Sequence, residues 1–231
     1  MTCRLCTLDK ELQNSHIIPE FLYKPLYDDK HRAQRLSKIG EQQEYKKRKL
    51  LQKGLREKLL CFDCEQLLND RYEKYFKQLW FDEKTLPSKF GADTEIKLNG
   101  LNYGKFKLFH LSILFRASVS SLPEFEQVTL GVHEKSLREM LIYELPDSDK
   151  KYPILCHALT KGNHEVQYGL ITNPFKTRQP SGHTSYSFCF GGCVWCYIID
   201  SREIASFSSF MLTSKGELGI MSTPWETFLN L

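Results

Sequence analysis

The sequence predicts an α+β fold, and three observations support this class. Two C-x-x-C pairs enclose a short apolar segment and a basic stretch near the N-terminus. Apolar residues then recur at three- and four-residue spacing, which is typical of helices. From Pro153 onward they alternate with polar residues, which is typical of strands. We therefore expect two domains, one at 1–85 that contains the cysteine pairs and one at 90–231 with helices packed on an antiparallel β-sheet.

The composition is that of an ordinary globular protein. Of 231 residues, 41% are hydrophobic and 26% are charged, and the formal net charge is +4, so intrinsic disorder is not expected. The N-terminus lacks the basic stretch and apolar core of a signal peptide, and the apolar run Leu108–Val119 is too short to span a membrane. We expect a cytoplasmic protein in a reducing compartment, without membrane contact.

Four of the eight cysteines have the spacing of metal ligands. They are Cys3, Cys6, Cys61 and Cys64. Each two-residue gap lets one tight turn direct both sulfurs at one tetrahedral ion, and Zn²⁺ is the natural occupant. Because four sulfur ligands leave no open coordination position, we expect a structural zinc rather than a catalytic one. Unligated or redox-active thiols are the alternative.

The other cysteines are expected to be buried in strands. Cys193 and Cys196 have the spacing of metal ligands, but on a regular strand they point to opposite faces. Cys156 and His157 are neighbours in a predicted strand, so they also face apart and do not form a nucleophilic pair. Arg116 lies within an apolar run, where a buried arginine needs a carboxylate or phosphate partner. We favour a structural role for it over a ligand-binding one.

The N-terminal module is expected to contain a short strand and one long helix. The isoleucines of Ser-His-Ile-Ile-Pro favour an extended strand that Pro19 ends, so His16 projects from a strand end. From Glu65 onward, apolar residues follow at helical spacing and form a packing face. These residues are Leu67, Leu68, Tyr72, Tyr75, Phe76 and Leu79. A turn-rich linker at 84–93 follows.

The second domain is expected to begin with helices at 106–120 and 134–144. The strand-like segments after them are PILCHAL, VQYGLIT, TSYSFCF, CVWCYIID and SSFMLT. The glycine pair at 191–192 and the Lys-Gly pair at 215–216 are hairpin signals. These elements predict helices that pack on an antiparallel sheet.

His16 is the candidate catalytic residue. Glu65, Asn69 and Glu73 lie at four-residue spacing along one face of the predicted helix, and their oxygens are ligands that Mg²⁺ or Mn²⁺ prefers. A histidine that faces this stripe could deprotonate a water for attack on a phosphodiester. The alternatives are a structural histidine and glutamates that are ordinary charges on a helix surface.

The segment between the cysteine pairs is strongly basic. Residues 30–58 have a net formal charge of about +8 by counting. Such a stretch suits the phosphate backbone of nucleic acid, here double-stranded DNA, because each neutralised phosphate releases counterions. The candidate nucleic-acid-binding residues are Lys46, Lys47, Arg48, Lys49, Lys53 and Arg56. A solvated, charge-rich surface is the alternative.

The order C-x-x-C, Ser-His-Ile-Ile-Pro, C-x-x-C-Glu resembles the zinc-stapled branch of the HNH nucleases, whose core is the ββα-metal fold. The resemblance covers the N-terminal module alone. It implies that His16 is the general base and that Glu65, where members commonly have a histidine, binds the catalytic metal. Asn69 is a stand-in by helical geometry for the family's asparagine. Ser15 stands where many members have an Asp or His metal ligand.

We therefore expect an HNH-type endonuclease that hydrolyses phosphodiester bonds in DNA, with a structural Zn²⁺ and a catalytic Mg²⁺ or Mn²⁺. The second domain would have a role in recognition, regulation or assembly, through a protein partner or a homo-oligomer. By analogy, a nuclease with such a domain would suit bacterial anti-phage defence. The alternative is an inactive zinc-stapled module that binds nucleic acid or protein, as Ser15 suggests.

Overall fold

The computed structural model describes residues 1–30, 54–91, 95–179, 182–200 and 210–229. Within these ranges the chain forms five α-helices, a two-stranded sheet and a six-stranded sheet. The α+β class is therefore confirmed. None of the helices in these ranges combines the length and the apolar character that a membrane span requires.

The N-terminal module contains two strands and a helix in the order β-β-α. Strands β1 (Leu12–His16) and β2 (Arg56–Cys61) pair in antiparallel orientation. Strand β2 runs directly into α1 (Phe62–Leu68). The second cysteine pair therefore lies at the junction between a strand and a helix.

Strand β1 ends earlier than the isoleucines predict. Its last residue is His16, and the side chains of Ile17 and Ile18 are buried beyond the strand. Pro19 then precedes a 3₁₀ helix at Glu20–Leu26. The predicted position of His16 at a strand end is confirmed.

The predicted long helix is present and contains two π-helical segments. After α1 it continues as a π segment at Asn69–Glu73, as α2 (Lys74–Lys77) and as a second π segment at Gln78–Asp82. Its most buried side chains recur at a strict interval of four residues. They are Leu68, Tyr72, Phe76 and Trp80. In an α-helix, residues four apart drift by about 40° per step, and the wider π turns offset this drift.

Helix α3 (Tyr103–Val119) is buried on nearly all sides, and α4 (His133–Ile142) packs beside it. Both agree with the predicted helices. Two of the buried residues of α3 are basic, namely Lys107 and Arg116. The Lys107 amine nitrogen lies 2.6 Å from the carbonyl oxygens of Ser148 and Lys151, so backbone acceptors satisfy its donors. A short 3₁₀ helix at 123–125 separates α3 from α4.

The larger sheet has the strand order β3-β8-β4-β7-β6-β5. Its strands are β3 (Glu95–Leu98), β4 (Ile154–Thr160), β5 (Phe175–Arg178), β6 (Thr184–Phe190), β7 (Cys193–Ile199) and β8 (Leu218–Pro224). Helix α5 (Trp225–Leu229) follows β8 directly. Three of the predicted strand segments correspond to β4, β6 and β7, and β8 follows the hairpin signal at 215–216. The short edge strands β3 and β5 were not predicted.

The hairpin at the double glycine is confirmed. Gly191 and Gly192 join β6 to β7 and have φ angles of 60° and 82°. Two successive positive φ angles are those of a type I′ turn, which suits the twist of paired strands. A side chain at Gly192 would also collide with Val166, since an added Cβ would lie 2.5 Å from a methyl carbon of that residue.

Three predictions about this sheet are wrong. It is not purely antiparallel, because β4 and β8 pair in parallel. The segment at 166–172 is no strand, since its bridges to the described residues are limited to the one between Val166 and Thr160. The Lys-Gly pair at 215–216 forms a turn closed by Thr213 and Glu217, but within the described part of the chain residues 210–213 form an isolated bridge, through Met211, rather than a strand. An apolar alternating segment becomes a strand only where a partner edge is available to it.

One apolar core contains residues from both predicted domains. Trp80, in the first predicted domain, packs against Trp195, in the second, with 5.3 Å between the ring centroids. Its Nε1 donates to the carbonyl of Gly191 at 2.8 Å. The division of the chain into domains at 1–85 and 90–231 stays a prediction, and any such domains pack closely against each other.

Candidate functional site

The four N-terminal cysteines lie together. The sulfur atoms of Cys3, Cys6, Cys61 and Cys64 are all within 4.8 Å of one another, and this is the single such cluster of potential metal ligands in the described ranges. The first pair is shaped by a tight turn in which the amide of Thr7 donates to the carbonyl of Cys3 at 2.9 Å. The cluster could hold a structural metal ion such as zinc, as predicted.

The electrostatics of this cluster favour a bound cation. Burial raises the pKa of Cys64, and the charge of Cys3 raises it further. For Cys3 itself burial also acts to raise the pKa, but hydrogen bonds from the backbone of Cys6, Cys61 and Leu5 outweigh it and the pKa is lowered. Four neighbouring thiolates repel one another, and a divalent ion compensates that repulsion.

His16 lies at the end of β1, opposite Arg56 of β2. Its side chain is 22% exposed, and its Nε2 is 3.9 Å from a carboxylate oxygen of Glu20, four residues further along the chain. That distance is too long for a hydrogen bond, but the carboxylate would stabilise a positive charge on the ring. Sequence reasoning missed Glu20, because the four-residue rule for neighbouring side chains applies within a helix and His16 lies on a strand.

The Ser15 hydroxyl is engaged by backbone. Ser15 is 1% exposed, and its Oγ accepts a hydrogen bond from the amide of Leu60 at 3.2 Å. The same hydroxyl is 3.5 Å from the carbonyl oxygen of Gln13, to which it donates. The Ser15 side chain therefore helps to hold β1 against β2. Because consecutive residues of a strand point to opposite faces, its side chain is directed away from that of His16.

Arg116 joins this strand to the long helix. One of its terminal nitrogens, Nη1, lies 2.8 Å from the carbonyl oxygen of His16 and 2.9 Å from Oε1 of Glu73. The arginine is 1% exposed and the Glu73 side chain 15%. An internal acid is thus the partner of the buried arginine, which was one of the two partners predicted for it.

Glu73 is buried between an opposite charge and a like charge. Burial raises the pKa of Glu73, and the charge of Glu65 acts in the same direction, while Arg116 opposes both. Oε1 of Glu65 is buried and has no hydrogen-bond partner among the described residues. A buried carboxylate oxygen without a partner is costly, so this atom indicates a place where a cation would be favourable.

The remaining predicted site residues lie outside this network or outside the described ranges. Asn69 begins the first π segment, and its amide donates to Oδ1 of the exposed Asp70 at 3.2 Å. Arg56 is the first residue of β2. The other five candidate nucleic-acid-binding residues, which are Lys46, Lys47, Arg48, Lys49 and Lys53, lie outside the described residues. Their roles stay predictions.

The cysteines of the large sheet are buried strand residues, as expected. Cys156, Cys189 and Cys193 are inaccessible to solvent, and Cys196 is partly buried. None of them belongs to a cluster of potential metal ligands in the described part of the chain.

Comparison of the chain with models of known protein families, with curated proteins and with solved structures gives no match. The properties of the site therefore rest on its own residues. These are His16 at the end of β1, Glu20 shortly after it, Glu65 and Glu73 on the long helix, and Arg116 on α3.

Proposed function

We propose that the protein is a metal-dependent endonuclease of the HNH type that hydrolyses phosphodiester bonds in DNA. One observation supports this most directly: a single Arg116 nitrogen contacts both the His16 carbonyl and the Glu73 carboxylate. The strand end that bears the candidate base and the helix that bears the candidate metal ligands are therefore adjacent. The β-β-α order and the cysteine cluster at the strand-to-helix junction agree with the same proposal.

Glu65 and Glu73 would hold the catalytic metal ion, whereas the side-chain amide of Asn69 is bound to Asp70. The buried, unpartnered oxygen of Glu65 fits this role, because carboxylate oxygens are preferred ligands of Mg²⁺ and Mn²⁺. Such an ion, when bound, supplies Lewis-acid stabilisation of the charge on the leaving oxygen. Glu73 shares one oxygen with Arg116, which leaves its second oxygen for a ligand role.

His16 would act as the general base. In this role its imidazole removes a proton from the attacking water. The ring then becomes positively charged, and the Glu20 carboxylate near Nε2 stabilises that charge. Arg116 holds the backbone of His16 from behind, so the ring is presented from a fixed strand end.

The cysteine cluster would have a structural role in this protein. A zinc ion with four thiolate ligands has no position for water or substrate. It would hold β2, α1 and the N-terminal turn together, and so hold β1 against the helix that bears the glutamates. The basic segment between the cysteine pairs would bind the DNA backbone beside the cut. A defence against phage is a further expectation from analogy alone.

A plasmid assay tests the proposal. Supercoiled plasmid is incubated with the wild-type protein and Mg²⁺ or Mn²⁺, and nicked product is followed on gels. We expect nicking by the wild type and its loss in His16→Asn, with zinc content and thermal unfolding unchanged. His164→Asn is the matched control and should nick normally, because asparagine tolerates the positive φ of 63° at that position. Equal nicking by the two variants, or none by the wild type, would refute the proposal.

A binding module without catalytic activity is the second candidate. The observation in its favour is the Ser15 hydroxyl, which the backbone of Leu60 and Gln13 engages and which therefore supplies no metal ligand. If this candidate is correct, wild type and His16→Asn would bind labelled DNA with equal affinity, and neither protein would nick the plasmid.

A further inference from the structure

Arg116 lies outside the β-β-α unit, on a helix that the sequence assigns to the second domain. We propose that Arg116 is a positioning residue for the His16 site, through which α3 sets the distance between the candidate base and the metal-binding helix. The inference rests on the proposed function for its catalytic consequence.

The guanidinium of Arg116 is held from two sides. On its own helix, Nε lies 3.3 Å from the carbonyl oxygen of Ser112 and Nη2 lies 3.4 Å from the Ser112 hydroxyl. On the other side, Nη1 donates to His16 and pairs with Glu73. Because the group is planar and its donors have fixed directions, contacts on both sides determine where the two oxygens lie.

Arg116 fixes the backbone of the residue that bears the candidate base relative to one candidate metal ligand. The His16 carbonyl oxygen and Oε1 of Glu73 lie 2.8 and 2.9 Å from the same nitrogen. Without that nitrogen, the backbone at the end of β1 loses its link to the long helix. The like charges of Glu65 and Glu73 also lose the cation that opposes their repulsion.

Lysine cannot replace arginine at this position. A lysine at 116 keeps one positive charge and can pair with Glu73. Its ammonium rotates freely, however, and lacks the additional nitrogens by which Ser112 fixes the orientation of the guanidinium. Arg116→Lys is therefore the variant that keeps the charge and removes the positioning.

A second connection between α3 and the strand pair supplies a matched control. The Glu57 carboxylate of β2 accepts hydrogen bonds from the Ser120 hydroxyl at 2.7 Å and the Ser121 amide at 2.9 Å. The Ser121 hydroxyl is a third donor to the same carboxylate. Ser121→Ala weakens this connection without touching His16, Glu65 or Glu73. It therefore separates a general loosening of α3 from a change at the site.

The first measurement is steady-state nicking of plasmid by wild type, Arg116→Lys and Ser121→Ala. We expect kcat to fall about 100-fold in Arg116→Lys, which is the size of effect that a misplacement of about 1 Å produces. KM for the plasmid should change little, because Arg116 is buried and does not touch DNA. Ser121→Ala should keep kcat within about twofold of wild type, as surface substitutions usually do. Equal kcat values in Arg116→Lys and wild type would overturn the proposal.

The second measurement does not depend on activity. NMR of protein labelled with ¹³C-histidine gives ring signals, and His16→Asn identifies the one from His16. We expect this signal to shift and broaden in Arg116→Lys and to stay in place in Ser121→Ala, while zinc content and circular dichroism show both variants folded. An unmoved His16 signal in Arg116→Lys would refute positioning by Arg116. If the wild type cuts no DNA but the signal does move, the proposed function fails and the positioning role stands.

Discussion

Replacing Trp80 by phenylalanine tests whether the two predicted domains share one core. Trp80 is buried at their junction, where it stacks on Phe76 at 5.2 Å between ring centroids and contacts Trp195. The substitution leaves the Gly191 carbonyl without the indole donor, at a cost of about 1–3 kcal/mol. It also empties roughly 40 Å³, which costs about 1 kcal/mol at about 24 cal/mol per Å³. We expect a loss of about 2–4 kcal/mol.

The assay is guanidinium unfolding followed by far-UV circular dichroism, since the substitution alters tryptophan fluorescence itself. Trp225→Phe is the matched control. The Trp225 side chain is partly buried, and its Nε1 has no hydrogen-bond partner among the described residues, so its removal should cost under about 1 kcal/mol. A loss under about 1 kcal/mol in Trp80→Phe as well would show that the junction contributes little and that the reasoning is wrong.

Two further outcomes are expected. Purified protein should contain about one zinc ion per chain by mass spectrometry. Cys61→Ser should lose the zinc and unfold, while Cys196→Ser should keep it. Equal zinc content in the two variants would contradict a zinc site at the N-terminal cysteines. Burial lowers the pKa of Lys107 to about 7, so a folded chain binds fewer protons than an unfolded one above that pH. Stability should therefore fall as pH drops from 10 to 7, by up to about 1.4 kcal/mol per unit. Lys107→Met should abolish this slope and the exposed Lys105→Met should keep it, and an unchanged slope in Lys107→Met would refute the shift.

Local patterns were sufficient to predict much of the fold. The helix after Glu65 and the helices α3 and α4 follow from apolar spacing, and the turn at Gly191 follows from two residues that accept positive φ. The cysteine pairs were recognisable because each pair needs only its own two-residue gap to aim both sulfurs at one ion. Each of these signals depends on interactions between residues close together in the chain.

Which distant segments pair with each other could not be predicted from the sequence. The segment at 166–172 alternates as a strand does, yet among the described residues it forms one isolated bridge, at Val166, and no strand. Strand β8 pairs with β4 in parallel. The π segments were also missed. The side chains of Leu68 and Trp80 both face the core. In an ordinary α-helix, side chains this far apart in sequence would point in different directions around the axis, and the π segments correct this.

The sequence by itself determined the chemistry that the N-terminal module offers: four thiols, one histidine at a strand end and two glutamates at helical spacing. Only the tertiary structure decided how these residues are held. Arg116 meets Glu73 and the His16 carbonyl across a long stretch of chain, because a guanidinium inside an apolar helix is stable only where the fold supplies acceptors. Which acceptors those are depends on how α3 packs against the N-terminal module, and no local pattern contains that information.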